Sequence, residues 1–523
     1  MSETNTRLRG RPRDGRTTPH GRWWIAACGA AIGWLATIAC GGGGDAPRAA
    51  RQSADRVFAN LRPAVVLADA DADPADPASA PRFRLRERMA HYAVEGLAVS
   101  AVRRGQPAWT RVWGEDADGR ELEPETWFWL GDLSSLGATL VALRLVDEGT
   151  LGLDEDLRPR SSSAVVRRLP RAVDLRQVLG QTSGLRPAEP LGVRAETLLA
   201  EIRQATEPGT RFERSEANWA LLEDVVTAAS EPADFVGAFE RLVLEPLAVR
   251  HGGEPALAWT DPPQGALRAA RRGIGGEPIE VDPQPLAARG LWGTPAGLAL
   301  LAASLVEAQA STEAPHPPLL SRRLRRELEE PGLGGWKLGV QVGDEAAWVG
   351  RRSAHGLAVA HPASGDALAV LTTTGRGDEL AAEILLAVAE EFGWSGLEPE
   401  RLQPRPLKVE GLIGMVGTYR FEGSAAAPAV DLGLSLRGQQ LVLDAPAGFF
   451  PWEGATSTVL YPVRGGLRML ERPGEIHMSL GGGGVWELRY AGRTGRKVSA
   501  AGTAGEGESE VPVRSLDDGR SGH

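Results

Sequence analysis

Between about residues 81 and 400 the chain begins and ends in strand-like sequence and is helical in between, and few folds accommodate that order. Near the start, GLAVSAVRRGQPAWTRVWGED reads as two strands joined at Arg104-Gly105. Near the end, Ala347–Val349, Gly356–Ala360 and Ala367–Thr373 read as strands, the last two joined through HPASGD. Asp378 to Phe392 then repeats apolar residues at helical spacing after an acidic first turn. In the middle, Leu136 to Glu148 is a helix that Gly149 stops. Leu198–Ala205, Ala217–Ser230, Asp234–Leu244 and Ala296–Ala308 are further predicted helices. Strands drawn from both ends of one domain predict an α+β fold: one antiparallel sheet flanked by helices, with a helical insertion.

The flanks differ in character. Arg7 to Arg22 form a basic stretch, and Trp23 to Ala39 an uncharged apolar run ending in small residues. Cys40 follows Thr37-Ile38-Ala39 and precedes GGGGD, so residues 1–40 read as an export signal. This leader resembles a bacterial lipoprotein signal, with Thr37 where leucine is usual. The resemblance implies a lipid on Cys40, hence a membrane anchor and a place in the cell envelope. Gly41 in turn implies the outer membrane in a cell that has one. Residues 41–80, rich in Ala, Asp, Pro and Gly, read as a flexible tether with one weak helix at Ala49–Leu61. Pro404 and Pro406 mark a linker, residues 408–496 alternate strands with glycine turns as a small all-β domain, and residues 500–523 read as a disordered tail.

Composition removes several function classes. Both cysteines, Cys28 and Cys40, lie in the leader, so the body has no disulfide, thiol nucleophile or cysteine metal ligand. The formal net charge of -10 argues against a nucleic-acid partner. No H-E-x-x-H, G-x-S-x-G or phosphate-loop pattern occurs, and no cofactor or metal is expected.

One corner suggests chemistry. WFWLGDLSSLGATLVALRL at 127–145 runs from an apolar strand through Gly131 into a helix, a common mount for a nucleophile. It carries Asp132, Ser134 and Ser135, and no lysine. On the residues alone, Asp132 is a good N-cap, able to accept from the N–H of Ser134 or Ser135. The two serines then read as capping or solvated groups.

The local sequences around this corner resemble the β-lactamase-related serine hydrolases, which include class C β-lactamases, penicillin-binding proteins and related esterases. VEGLAVSAVRRGQPAW at 94–109 is similar to the family's first hairpin, and LVDEGTLGLDEDL at 145–157 to the end of its nucleophile helix. DLRQVLGQTSGL at 174–185, PGTRF at 208–212, FERLVLEPLAV at 239–249 and ARGLWGTPAGLALLAASLV at 288–306 follow in the family's order. Gly417-Thr418-Tyr419 resembles the opening of the small β module that many exported members carry.

The resemblance implies covalent catalysis by an S-x-x-K serine, assisted by a Y-x-N motif and a K-T-G or H-T-G strand. None of the three is present. The nucleophile position falls on Asp132 and the lysine position on Ser135. Lys337, Lys408 and Lys497 are the only lysines, and none follows a serine by three residues. Arg214 and Glu216 replace the tyrosine and asparagine of the second motif. Gly350-Arg351-Arg352-Ser353 stands at the third, with His355-Gly356 as a rival register. Arg351 and Arg352 read more readily as a solvated strand end than as an anion site.

The expectation is therefore a degenerate, catalytically inactive member of the family with a binding or scaffold role. A salt bridge from Arg214 to Asp132 would close the old site. The candidate partners are a peptidoglycan peptide or an envelope protein. The alternative is an active serine hydrolase (esterase, D,D-peptidase or β-lactamase-like) with a rearranged site, using Ser134 or Ser135 with Glu216 or His355.

Overall fold

The computed structural model describes residues 45–67, 82–187, 194–231, 233–273, 276–306, 317–343, 346–403, 409–423, 429–437, 440–446, 457–463, 466–469, 475–481, 484–490 and 493–498. The expected leader with Cys28 and Cys40, the linker prolines and the tail from residue 500 lie outside these residues.

The two ends of the domain do share one sheet. Its order is Gln106–Gly114, Gly96–Arg103, Asp366–Thr372, Gly356–His361, Val349–Ser353, Val340–Val342 and Trp336–Lys337, antiparallel throughout. Gly96–Arg103 and Asp366–Thr372 are the seam, with Leu97 opposite Thr372 and Val102 opposite Ala367. Successive side chains of a strand point to opposite faces. One face presents mostly small residues, among them Ala98, Ala358, Ala360, Ala367 and Ala369, in the same core as the helix Pro295–Ala303. The other presents Leu97, Val99, Leu357, Val359, Leu368 and Val370, all fully buried, on the side covered by the closing helix Gly377–Phe392. Buried on both faces, these strands read as continuous apolar runs rather than as an alternation.

The insertion supplies the second wall of the domain. The corner helix Ser135–Asp147 packs against the helix Glu216–Ala229. Glycine lets it approach a second neighbour: a Cβ on Gly137 would sit 2.8 Å from the Trp259 ring. The predicted helix at 198–205 is shorter than expected. Ala195–Ala200 is helical, but Ile202–Gln204 is a strand paired with Leu185–Pro187. Tertiary pairing overrides a helical pattern there.

The expected tether is also corrected. Helix Asp45–Ala59 is continuous, and within it Ser53, Ala54 and Val57 are buried. Phe58 meets the Trp109 and Trp113 rings edge-on, Arg56 pairs with Glu391, and Arg62 with Glu390. Val65–Leu67 then pairs in parallel with Glu400–Leu402. The expected β domain is a closed barrel of eight antiparallel strands from Gly417–Phe421 to Arg493–Val498. Its buried residues include Tyr419, Phe421, Leu432, Leu434, Leu443 and Leu488. Closure removes both sheet edges. Arg468 of the barrel forms an ion pair with Glu400.

Candidate functional site

The strand Phe128–Trp129 pairs with Leu291–Gly293, and the chain turns at Leu130 and Gly131 into a short 3-10 helix, Gly131–Ser134, before the corner helix. Gly131 makes this turn at φ +51, a left-handed conformation that costs glycine nothing. Asp132 sits in the 3-10 turn, but its carboxylate takes no helix N–H; the expected N-cap is not formed. It faces Arg214 instead, with Nη2 3.5 Å from Oδ2, both side chains about half exposed. The salt bridge expected from the sequence is there. At that exposure such a pair contributes about 0–1 kcal/mol.

The two serines are neither caps nor solvated. Ser134 is fully buried, and its Oγ accepts the Leu291 N–H at 3.0 Å. Ser135 is equally enclosed and its hydroxyl donates to the Asp132 carbonyl at 2.7 Å. Both hydroxyls hold the corner together, and neither lines the cleft beside it.

That cleft has a volume of about 510 Å³. One wall is the segment leading into the helix Glu216–Ala229, whose first turn Ser215 caps by accepting the Ala217 N–H. Gln181 holds this segment in place: its Oε1 accepts from the Ser215 N–H at 3.0 Å and from Asn218 at 3.2 Å. Asn218 is buried against Ser183 and does not line the cleft. Glu216 pairs with Arg289, and Glu213 with Arg186. Burial raises the Glu216 carboxyl above its usual range; the Arg289 charge opposes this, while Asp132 and Asp282 add to it.

Arg351 departs most from expectation. It is 1% exposed, not a solvated strand end. The register explains why: it lies in the interior strand Val349–Ser353, opposite Ala358. Its guanidinium lies 4.3 Å from the Trp336 ring centroid and 5.8 Å from that of Trp219. Nη2 donates to the Asp132 carbonyl at 3.2 Å, while Nε and Nη1 have no partner among the described residues. Burial lowers its pKa to about 9, against the pull of Asp132 and with the push of Arg214. Arg352, on the opposite face, pairs with Asp378 at 2.9 Å.

The alternative catalytic set is not assembled. His355 turns its Nε2 to the Arg272 carbonyl at 3.1 Å, and burial lowers its pKa to about 3. No hydrogen bond joins it or Glu216 to Ser134 or Ser135 among the described residues. Two residues that matter here escaped the sequence reading. Arg289 was visible only as part of ARGLWG. Arg271, fully enclosed, donates to the carbonyls of Trp129, Thr372 and His355, and so ties the corner to the sheet. Nothing in its local sequence marks it.

Comparison with known proteins agrees with this architecture. The family model described as Beta-lactamase matches residues 84–391. The crystal structure of SurE is similar with a TM-score of 0.50 at 23% identity, covering 79% of this chain and 97% of that one. The octameric penicillin-binding protein homologue from Pyrococcus abyssi is similar with a TM-score of 0.50 at 16% identity, covering 79% and 98%. At these identities the likeness concerns the fold. No curated protein matches the sequence with significance. The family match spans more than half of the chain and contains the sheet, the insertion and the corner: the chain belongs to the beta-lactamase family.

Proposed function

We propose that this beta-lactamase-family chain is catalytically inactive and acts as a binding or scaffold module, held at the cell envelope by a lipid on Cys40. One observation carries the reading. At the nucleophile position stands the Asp132 carboxylate, paired with Arg214, while Ser135 at the base position is buried and donates to the Asp132 carbonyl. Acyl-enzyme chemistry needs an exposed hydroxyl beside a group that takes its proton. Among the described residues that line the cleft, the one hydroxyl, Ser215, is a helix cap. Where the family implies a tyrosine, Arg214 is a permanent cation and no base. The cleft is left as a surface that binds without reacting, and a peptidoglycan peptide or an envelope protein is the partner class we assign to it.

Labelling purified protein with a fluorescent penicillin and a fluorophosphonate tests inactivity; no covalent adduct is expected. An adduct that disappears in Ser134→Ala or Ser135→Ala would overturn the reading. The anchor is tested separately by metabolic labelling with an alkynyl fatty acid. Incorporation that Cys40→Ala abolishes supports it, and incorporation that survives the change refutes it.

A further inference from the structure

The closed barrel has one apolar end. Its strands Glu475–Leu480 and Trp486–Tyr490 run antiparallel, with Met478 opposite Leu488 and Leu480 opposite Trp486. Successive side chains of a strand alternate between faces, so Leu480 continues the inward column of Ile476 and Met478. Ile476 and Leu488 are buried in the barrel, but Leu480 has passed its rim and is 61% exposed. Val485, whose carbonyl accepts the Gly481 N–H at 2.8 Å, is 41% exposed. The helix Val409–Met415 reaches the same end. A Cβ on Gly414 would lie 3.6 Å from the Trp486 indole nitrogen, and the neighbouring Ile413 is 59% exposed. Seven large apolar side chains are well exposed among the described residues, and three of them share this one end. Such residues scattered singly need no explanation, whereas a group of them marks a contact surface.

We propose that this end of the barrel docks on an anionic phospholipid bilayer, with Ile413, Leu480 and Val485 entering the acyl region and Lys497 meeting the headgroups. Charge favours that occupant. The chain carries a formal net charge of -10, so most of its surface is repelled by an anionic membrane. This end is the exception. No charged residue stands between Met478 and Trp486. Glu487, next in the chain, is paired with Arg496 at 3.2 Å. Lys497 follows Arg496 on the neighbouring strand, which pairs with Trp486–Tyr490. Its ammonium donates to the Gly414 carbonyl at 3.0 Å and has no carboxylate partner among the described residues. A cation beside exposed apolar side chains is the arrangement that an anionic bilayer rewards twice, through burial and through headgroup attraction. Trp486 is half-buried beneath Leu480 and Val485, and an indole at that depth suits the membrane interface. A projecting hairpin end needs no complementary groove in a bilayer, which deforms around it. The contact is made by the barrel's own residues and goes beyond the anchor reading, since it needs no lipid on Cys40.

A polarity-sensitive fluorophore placed on the full-length chain tests this. Cys28→Ser and Cys40→Ser leave no native thiol, and Val485→Cys then takes the label. A second protein carries it at Glu422→Cys, an exposed position just past Phe421, at the other end of the barrel. Vesicles of phosphatidylcholine with about a third phosphatidylglycerol are added, with a nitroxide on the lipid acyl chains as quencher. The label at 485 is expected to shift to the blue and be quenched, and the label at 422 to stay unchanged. Attachment through the apolar run Trp23–Ala39 would bring both labels to the vesicle without burying either. Ile413→Ser with Leu480→Ser, both at exposed positions, is expected to lower quenching at 485 about tenfold. Lys497→Gln is expected to lower it about fivefold on these vesicles and not on phosphatidylcholine alone. Equal quenching of the two labels, or quenching at 485 that survives the double serine variant, would overturn the proposal. So would a blue shift at 485 that grows with protein concentration and needs no vesicles, which would mark the end as a contact between copies of the chain. Cys40→Ser is present throughout, so failure of the anchor reading leaves these outcomes untouched.

Discussion

Glu223 lies in the helix that forms one wall of the cleft, with its carboxylate turned away from the cleft toward the backbone. It accepts the Ala287 N–H at 3.0 Å. Burial raises its pKa to about 7, opposed by backbone hydrogen bonds from Ala287 and Leu286 and reinforced by Asp224 and Glu196. The folded chain thus holds this proton more tightly than the unfolded chain, whose carboxyl titrates near 4.5. Stability therefore falls as pH rises from about 4.5 to about 7 and is level above that, a loss on the order of 3 kcal/mol from this one group. Glu223→Gln keeps an acceptor for Ala287 and has no charge to bury. Thermal melts from pH 5 to 8 should show that the variant lacks part of the wild-type decline; parallel curves would refute the assignment. At the same scale, the pairing of Asp132 with Arg214 was legible in the sequence, because the family order places both on one pocket. The fate of Arg351 was not. Whether an arginine of a strand is solvated depends on what covers it; Trp336 reaches Arg351 through the pairing of the sheet's last strands, and Trp219 from the helical insertion more than a hundred residues earlier.

Elements were legible where their own pattern sufficed. The corner helix, the closing helix and the seam strands lie within a residue or two of the predicted bounds, because apolar spacing and glycine stops decide them. The segment from Asp234 fared differently: Phe235–Phe239 is helical, a π turn covers Glu240–Leu244, and a helix resumes over Glu245–His251. Between elements, one polar contact is decisive. Arg88, in the helix Leu85–His91, donates to Glu383 of the closing helix at 2.8 and 2.5 Å, and the Tyr92 hydroxyl donates to the same carboxylate at 2.8 Å. Glu383 is fully buried, and burial raises its pKa while Arg88 and Tyr92 pull it down. Glu383→Gln leaves Arg88 without its counter-charge and should cost about 3–5 kcal/mol in urea denaturation. The double variant Arg88→Met, Glu383→Leu should recover most of that. A single variant as stable as wild type would show that the pair holds nothing.

For the whole molecule, the order of strands and helices was enough to give the fold class, and it also foretold an all-β unit at the C-terminal side. It did not foretell the role of residues 51–67, whose alanine- and aspartate-rich neighbourhood hides the apolar contacts of Ala54, Val57, Phe58 and Leu61. Composition averages over a window, whereas packing depends on which few residues meet Trp109 and Trp113. A chain lacking residues 1–67 should melt roughly 4–10 °C lower than one that keeps them, through lost burial and lost partners for Glu390 and Glu391. An unchanged melting temperature would return the segment to the status of a tether.

The seam of the main sheet also sets a timetable. Val102 cannot find Ala367 until roughly 265 more residues have been made, which at about 5–20 residues per second takes on the order of 13 to 53 s. Until then Gly96–Arg103, apolar on both faces, has only its hairpin partner Gln106–Gly114, and its other edge waits for Asp366–Thr372. A newborn chain of this protein is thus exposed to aggregation for most of its synthesis, and its yield in a cell should depend on holding chaperones more than on the stability of the finished fold.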